Sequence, residues 1–232
     1  MGTHIRLTLG LLLLLLASFP VVAQREDETK AKTAAQTNAV SSEPFLLKRG
    51  DNEFGFWGGF SPAATTVFGG LHEDEADDRK FFLAAFRYGR TLAANNSLAL
   101  QYTLDAIPIA IGTGVVVART TVGGVTTFKR ETAYGAGVSP LGLQLDFANG
   151  SKIHPFVHIN AGGLIFNKSM PIEDAGQFAF TLEGGGGVRI RTSDRRAATL
   201  GVRLHHISNG DISGSNRGLN QFVFYAGFSI FK

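Results

Sequence analysis

The chain has 232 residues, with no cysteine, 29 glycines, 19 phenylalanines and a formal net charge of +3. Lack of cysteine excludes disulfides and thiolate metal sites. So small a charge surplus gives no reason to expect a nucleic-acid partner, and low charge with many small and aromatic residues suits a sheet.

Arg6 is the only charged residue among the first 23, and residues 7–17 are almost wholly apolar, with leucine at every position of 11–16. Val21-Val22-Ala23 forms a small-residue cleavage signal. The pattern predicts a secretory signal peptide over 1–23, with Gln24 as the mature N-terminus. The apolar run is about half the ~20 residues a membrane-spanning helix needs, which argues against an uncleaved anchor. Export without cysteine fits a bacterial envelope protein. Residues 24–50 are polar and charge-mixed without a periodic apolar face, so they are expected to be a flexible periplasmic segment.

From residue 51 the apolar positions recur with period two. Leu98, Leu100, Tyr102 and Leu104 alternate with Gln101, Thr103 and Asp105. Leu141, Leu143, Leu145 and Phe147 alternate with Gly142, Gln144 and Asp146, and similar alternation runs through 153–160 and 178–191. Alternation of this kind is the strand signature. With further segments near 53–60, 81–90, 198–207 and 220–231 the count reaches eight strands.

A soluble eight-stranded barrel would turn its apolar face inward. Here the polar face carries Arg87, Asp105, Asp146, Glu183, Arg189 and Arg203, more charge than a small ligand-binding interior would welcome. The connections at 93–96, 148–151 and 192–196 are tight, whereas 61–80, 111–131, 167–177 and 208–219 read as longer loops. Short turns on one side and long loops on the other, joined by strands of about ten residues, describe an outer-membrane barrel. The predicted fold is therefore an all-β, eight-stranded antiparallel transmembrane barrel over 51–232, in the bacterial outer membrane.

Both ends of an even-stranded barrel lie on the periplasmic side, so the seventh strand runs outward and the eighth returns. Parity places Leu200, Val202, Leu204, His206 and Ser208 on one face of the seventh strand. Asn220, Phe222, Phe224, Ala226, Phe228 and Ile230 share one face of the eighth. The apolar face should touch lipid, so His206, Ser208 and Asn220 fall outside the barrel near the outer leaflet, where polar groups are costly unless they have a task. Residues two apart in a strand lie about 6.5–7 Å apart at Cα on one face. At that spacing an imidazole can take the proton of a serine that attacks an ester, and Asn220 enters on the adjacent strand as the group that orients the ring.

The segment His205-His206-Ile207-Ser208-Asn209-Gly210, followed by Asn216-Arg217-Gly218-Leu219-Asn220 and the aromatic strand 222–231, resembles the C-terminal signature of the lipid A 3-O-deacylase (PagL-type) family. The resemblance implies an eight-stranded outer-membrane barrel that removes an ester-linked acyl chain from lipid A without cofactor or metal. It implies His206 as base, Ser208 as nucleophile, and Asn209 and Asn216 at positions associated with oxyanion stabilisation. The family's acid position falls on Asn220, which can fix an imidazole tautomer but cannot stabilise imidazolium by charge. Asp211 is the alternative carboxylate, although its ordinary reading is a loop-turn residue. The implied partners are lipid A and lipopolysaccharide in outer-membrane lipid, and a homodimer is compatible with this reading. Two other classes remain open: a non-catalytic structural or adhesion barrel, and a lipid A acyltransferase.

His205, His154 and His158 are expected in the lumen. Trp57 and Tyr88 are read as interface anchors or outer-face fillers, and the acidic run at 73–78 as a solvated surface loop.

Overall fold

The computed structural model describes residues 46–66 and 70–232. The expected signal peptide, and all but the last five residues of the expected N-terminal segment, lie outside the described residues. The elements are β1 (Asn52–Ser61), β2 (Ala64–Thr65), α1 (Glu73–Ala76), β3 (Phe81–Ala94), β4 (Leu98–Val122), β5 (Val125–Phe147), β6 (Ile153–Phe166), β7 (Phe178–Ser193), β8 (Arg196–Ser208) and β9 (Leu219–Phe231).

Each long strand pairs antiparallel with the next, and β1 also pairs with β9, so eight strands close into a ring. Closure leaves no unpaired edge, the condition under which a sheet can sit in hydrocarbon. Side-chain parity sorts the residues as expected, with apolar outside and polar inside. Phe56, Phe86, Phe224 and Leu141 point outward and are exposed, while Arg87, Asp105, Asp146, Glu183, Arg189 and Arg203 are buried in the lumen. There the charges neutralise one another: Arg87 pairs with Asp105 at 2.7 Å, Arg203 with Glu183 at 2.5 Å, and Arg189 bridges Glu53 at 2.8 Å and Asp146 at 3.0 Å. Pairing is what makes burial of so many charges tolerable.

Three expectations need correction. Residues 111–131 are not a loop, because β4 and β5 continue past the barrel wall to a two-residue turn at Gly123-Gly124, with φ of +57° and +81°. Positive φ at both central residues is the turn that matches strand twist, and only glycine adopts it without strain. Trp57 is not on the outer face. It lies in the lumen, with the Arg203 guanidinium 4.0 Å above its ring and Tyr225 edge-on at 5.8 Å. Tyr88 does face outward, beside Phe54. Finally, the acidic run is solvated only in part: Glu73, Asp74, Asp77 and Asp78 are exposed, but Glu75 in α1 is buried.

At the tight-turn end, Leu47 is fully buried against Ala99, Ala197 and Phe231, and both its backbone groups bond to the Asn149 side chain. At the other end the long loops pack together around Leu71, Met170, Ile172 and Ala175. Arg130, on the extended β5, donates to the carbonyls of Asp74, Asp77 and Gly114 and so ties α1 to the hairpin.

Candidate active site

β8 leaves the tight turn after β7 and ends at Ser208 on the long-loop side. Its alternation buries Arg203, His205 and Ile207 and turns Leu204, His206 and Ser208 outward, each half-buried. β9 returns from the same rim, and the register sets His206 directly opposite Asn220. His206 Nδ1 and Asn220 Oδ1 are 2.7 Å apart. A carboxamide oxygen only accepts, so Nδ1 carries the proton and Nε2 is left with its lone pair. A neutral imidazole in that tautomer is equipped to act as a base.

Ser208 is the next outward residue on the strand, and its register partner is Phe180 of β7. Among the described residues no hydrogen bond joins its hydroxyl to His206; strand spacing alone brings them together.

Asn220 is buried although its parity is outward. The cover comes from β2, whose Thr65 pairs with Asn220 and Ala64 with Gln221, and from Leu71, whose N–H donates to Gly218 O at 3.0 Å. Gly218 itself lies against the imidazole edge: a Cβ there would fall 2.5 Å from His206 Cε1, so no larger residue fits without moving the ring.

The two other asparagines divide their roles. Asn209 is buried, and its side-chain nitrogen donates to Ala175 O at 2.9 Å, Ser213 Oγ at 2.7 Å and Ser215 O at 2.9 Å. Its Oδ1 accepts from Asp211 N at 3.0 Å, and its own backbone N–H donates to Asn216 Oδ1 at 3.2 Å. Asn216 is exposed, with its oxygen engaged and its amide nitrogen directed by that bond. Asp211 sits at φ +62° in the turn after Asn209, exposed, and no hydrogen bond links it to His206 among the described residues. Its ordinary turn reading therefore stands. His205, His154 and His158 lie inside the barrel.

The sequence assigns no role to Gly218 and Arg217, reads Glu75 only as part of a solvated run, and does not reveal β2. Glu75 Oε2 accepts from Arg217 Nη1 at 2.6 Å, and Glu75 Oε1 pairs with Arg119 Nη2 at 2.5 Å. Burial acts to raise the Glu75 pKa, but the Arg217 hydrogen bond and the charges of Arg217 and Arg119 outweigh it and hold the carboxyl below its ordinary value.

A protein-family model described as "Lipid A 3-O-deacylase (PagL)" matches residues 98–229, more than half of the chain. No curated protein matches. Several solved structures are similar, three of them as follows. The outer membrane enzyme PagL is 16% identical, with a TM-score of 0.44, over 77% of this chain and 98% of its own. The outer membrane protein OprG from Pseudomonas aeruginosa is 12% identical, with a TM-score of 0.45, over 80% and 97%. Neisserial surface protein A is 12% identical, with a TM-score of 0.43, over 78% and 96%.

Proposed function

The chain belongs to the lipid A 3-O-deacylase family of outer-membrane enzymes, and from that premise we propose that it hydrolyses the 3-O-linked acyl ester of lipid A by a serine–histidine mechanism on the lipid-facing surface of the barrel. Ser208 Oγ attacks the ester carbonyl carbon as His206 Nε2 takes its proton, while Asn220 holds the ring with Nδ1 protonated. The carbonyl π electrons move onto oxygen, where the Asn216 amide nitrogen donates a hydrogen bond. Asn209 acts one step back, pinning the loop carbonyls and, through its N–H, the Asn216 oxygen. Collapse breaks the bond to the sugar oxygen, which leaves with the proton from His206. A water then attacks the acyl-serine with His206 again as base, releasing the fatty acid and restoring Ser208. Every step uses side chains of one chain alone. We place the catalytic unit in residues 51–232, exported by a signal peptide cleaved after Ala23.

The observation that carries this reading is the His206–Asn220 contact at 2.7 Å, with Ser208 at the next outward position of an otherwise apolar face. The test is mass spectrometry of lipid A from cells with and without the protein. Loss of one 3-O acyl mass supports hydrolysis, gain of an acyl mass would make it a transferase, and an unchanged profile would make it a non-catalytic barrel.

A further inference from the structure

The rim beside the ester site is rich in guanidinium groups. Arg119 and Arg217 flank the buried Glu75 carboxylate, each bonded to one of its oxygens. The trio carries one net positive charge. Arg119 also lies 3.6 Å from Glu173 through Nε. Arg79 is buried below them, with Nε on Glu75 O at 2.9 Å and, among the described residues, no hydrogen-bond partner at either terminal nitrogen. Burial and then the nearby Arg130 push Arg79 down to about 10. Four arginines, Arg79, Arg119, Arg130 and Arg217, thus gather around Glu75 and Glu173.

Arg217 stands out within this group. It is about one-third exposed, and Glu75 occupies its Nη1, while Nε and Nη2 make no hydrogen bond among the described residues. It immediately precedes Gly218, which packs on the His206 ring. A carboxylate that holds one arm of a guanidinium presets the rest of the fork, the geometry suited to a phosphate. Lipid A carries phosphate monoesters on the same glucosamine rings that bear its 3-O acyl esters. An ester at Ser208 therefore brings a phosphate within one sugar ring of the site.

We infer that Arg217, oriented by Glu75, is a phosphate-binding residue that reads the phosphate monoester of the lipid substrate and fixes which ester is presented to Ser208. The inference rests on the lipid A reading above. It is tested by equilibrium binding, which needs no turnover, using the full chain in detergent with Ser208→Ala. Bisphosphorylated lipid A is compared with enzymatically dephosphorylated lipid A. R217Q should weaken binding of the phosphorylated lipid about tenfold, the worth of a charge-assisted hydrogen bond at a partly exposed site, and leave the dephosphorylated lipid unchanged. R217K should keep most of the preference, since it retains the charge without the fork. Equal weakening for both lipids would overturn the inference and make Arg217 a loop-positioning residue, and no change with either would overturn it as well. Loss with dephosphorylated lipid A only when an anionic non-substrate phospholipid is mixed in would also overturn it, by assigning the anion to a neighbouring lipid. If the wild-type protein released no fatty acid while the binding contrast held, the hydrolysis reading would fall and the phosphate site would stand.

Discussion

His206 Nδ1 and Asn220 Oδ1 stand 2.7 Å apart on facing rungs of β8 and β9, outside the barrel wall. In the proposed mechanism this contact sets the tautomer but supplies no charge to the imidazolium. Asn220→Glu should therefore raise the deacylation rate. The gain expected is on the order of tenfold, well below the roughly 10⁴ that separates Asp from Asn in serine proteases, because the surroundings are shaped around a neutral amide. Asp211→Asn should stay within about twofold of the parent, as an exposed turn residue without contact to the ring. Rates on purified lipid A check both, and a sharp loss with Asp211→Asn alone would transfer the orienting role to Asp211.

Gly218→Ala places a methyl group 2.5 Å from His206 Cε1 unless something yields. The movable partner is the imidazole, and displacing it by about 1 Å should lower kcat about 100-fold. The folded, heat-modifiable barrel should persist, since the added group lies at the rim. Parent-like kcat in the variant would show that the ring position is not critical.

The asparagines are separable by substitution. Asn216→Asp keeps the oxygen that accepts the Asn209 N–H but removes the amide donor. A loss of about 10²–10³ in kcat with unchanged protease resistance of the 209–218 loop is expected, the usual cost of an oxyanion donor. Asn209→Ala removes the donor to the Ser215 carbonyl and one of the two to Ala175 O, and should loosen the loop and lower activity together. Equal activity of Asn216→Asp and parent would remove Asn216 from the mechanism.

Glu75 makes the outer cap sensitive to acid. A carboxyl whose pKa is lower in the folded than in the unfolded state stabilises the fold above the unfolded value, and that contribution vanishes as pH falls through the folded one. Glu75 is of this kind, its carboxyl held below the ordinary 4.5 despite burial. Cleavage of the 62–80 loop by an acid-active protease should accelerate as pH drops below about 4.5, whereas Glu75→Gln should be cleaved about tenfold faster even at neutral pH, where a hydrogen bond to a charged partner has been lost. A variant as resistant as the parent at pH 7 would contradict a clamping role.

The barrel was legible because one physical rule governs every strand in the apolar belt. Residues such as Leu143 and Phe224 face outward and Gln144 and Tyr225 inward, so period two survives in the sequence. Beyond the belt that constraint lapses. Residues 111–131 alternate Thr, Arg and Val without a lipid-facing stripe, and the run hid strands that Gly123-Gly124, flanked by β-branched residues, could have announced. Trp57 was misplaced because residue type was weighed above parity: it adjoins Phe56 and so must face the opposite way. The site was half legible. His206, Ser208 and Asn220 share a face by counting alone, whereas Gly218, Leu71, Thr65 and Glu75 reach them through loops whose docking leaves no periodic trace.

Fatty-acid release from purified lipid A by Ser208→Ala and His206→Ala barrels decides whether Ser208 and His206 on the outer face cleave the ester. Each variant should lose at least about 10³-fold in rate while the barrel stays folded, and His205→Ala, one residue away but inside the lumen, should keep most of its activity. Normal release by Ser208→Ala, or loss in His205→Ala with His206→Ala intact, would contradict that role.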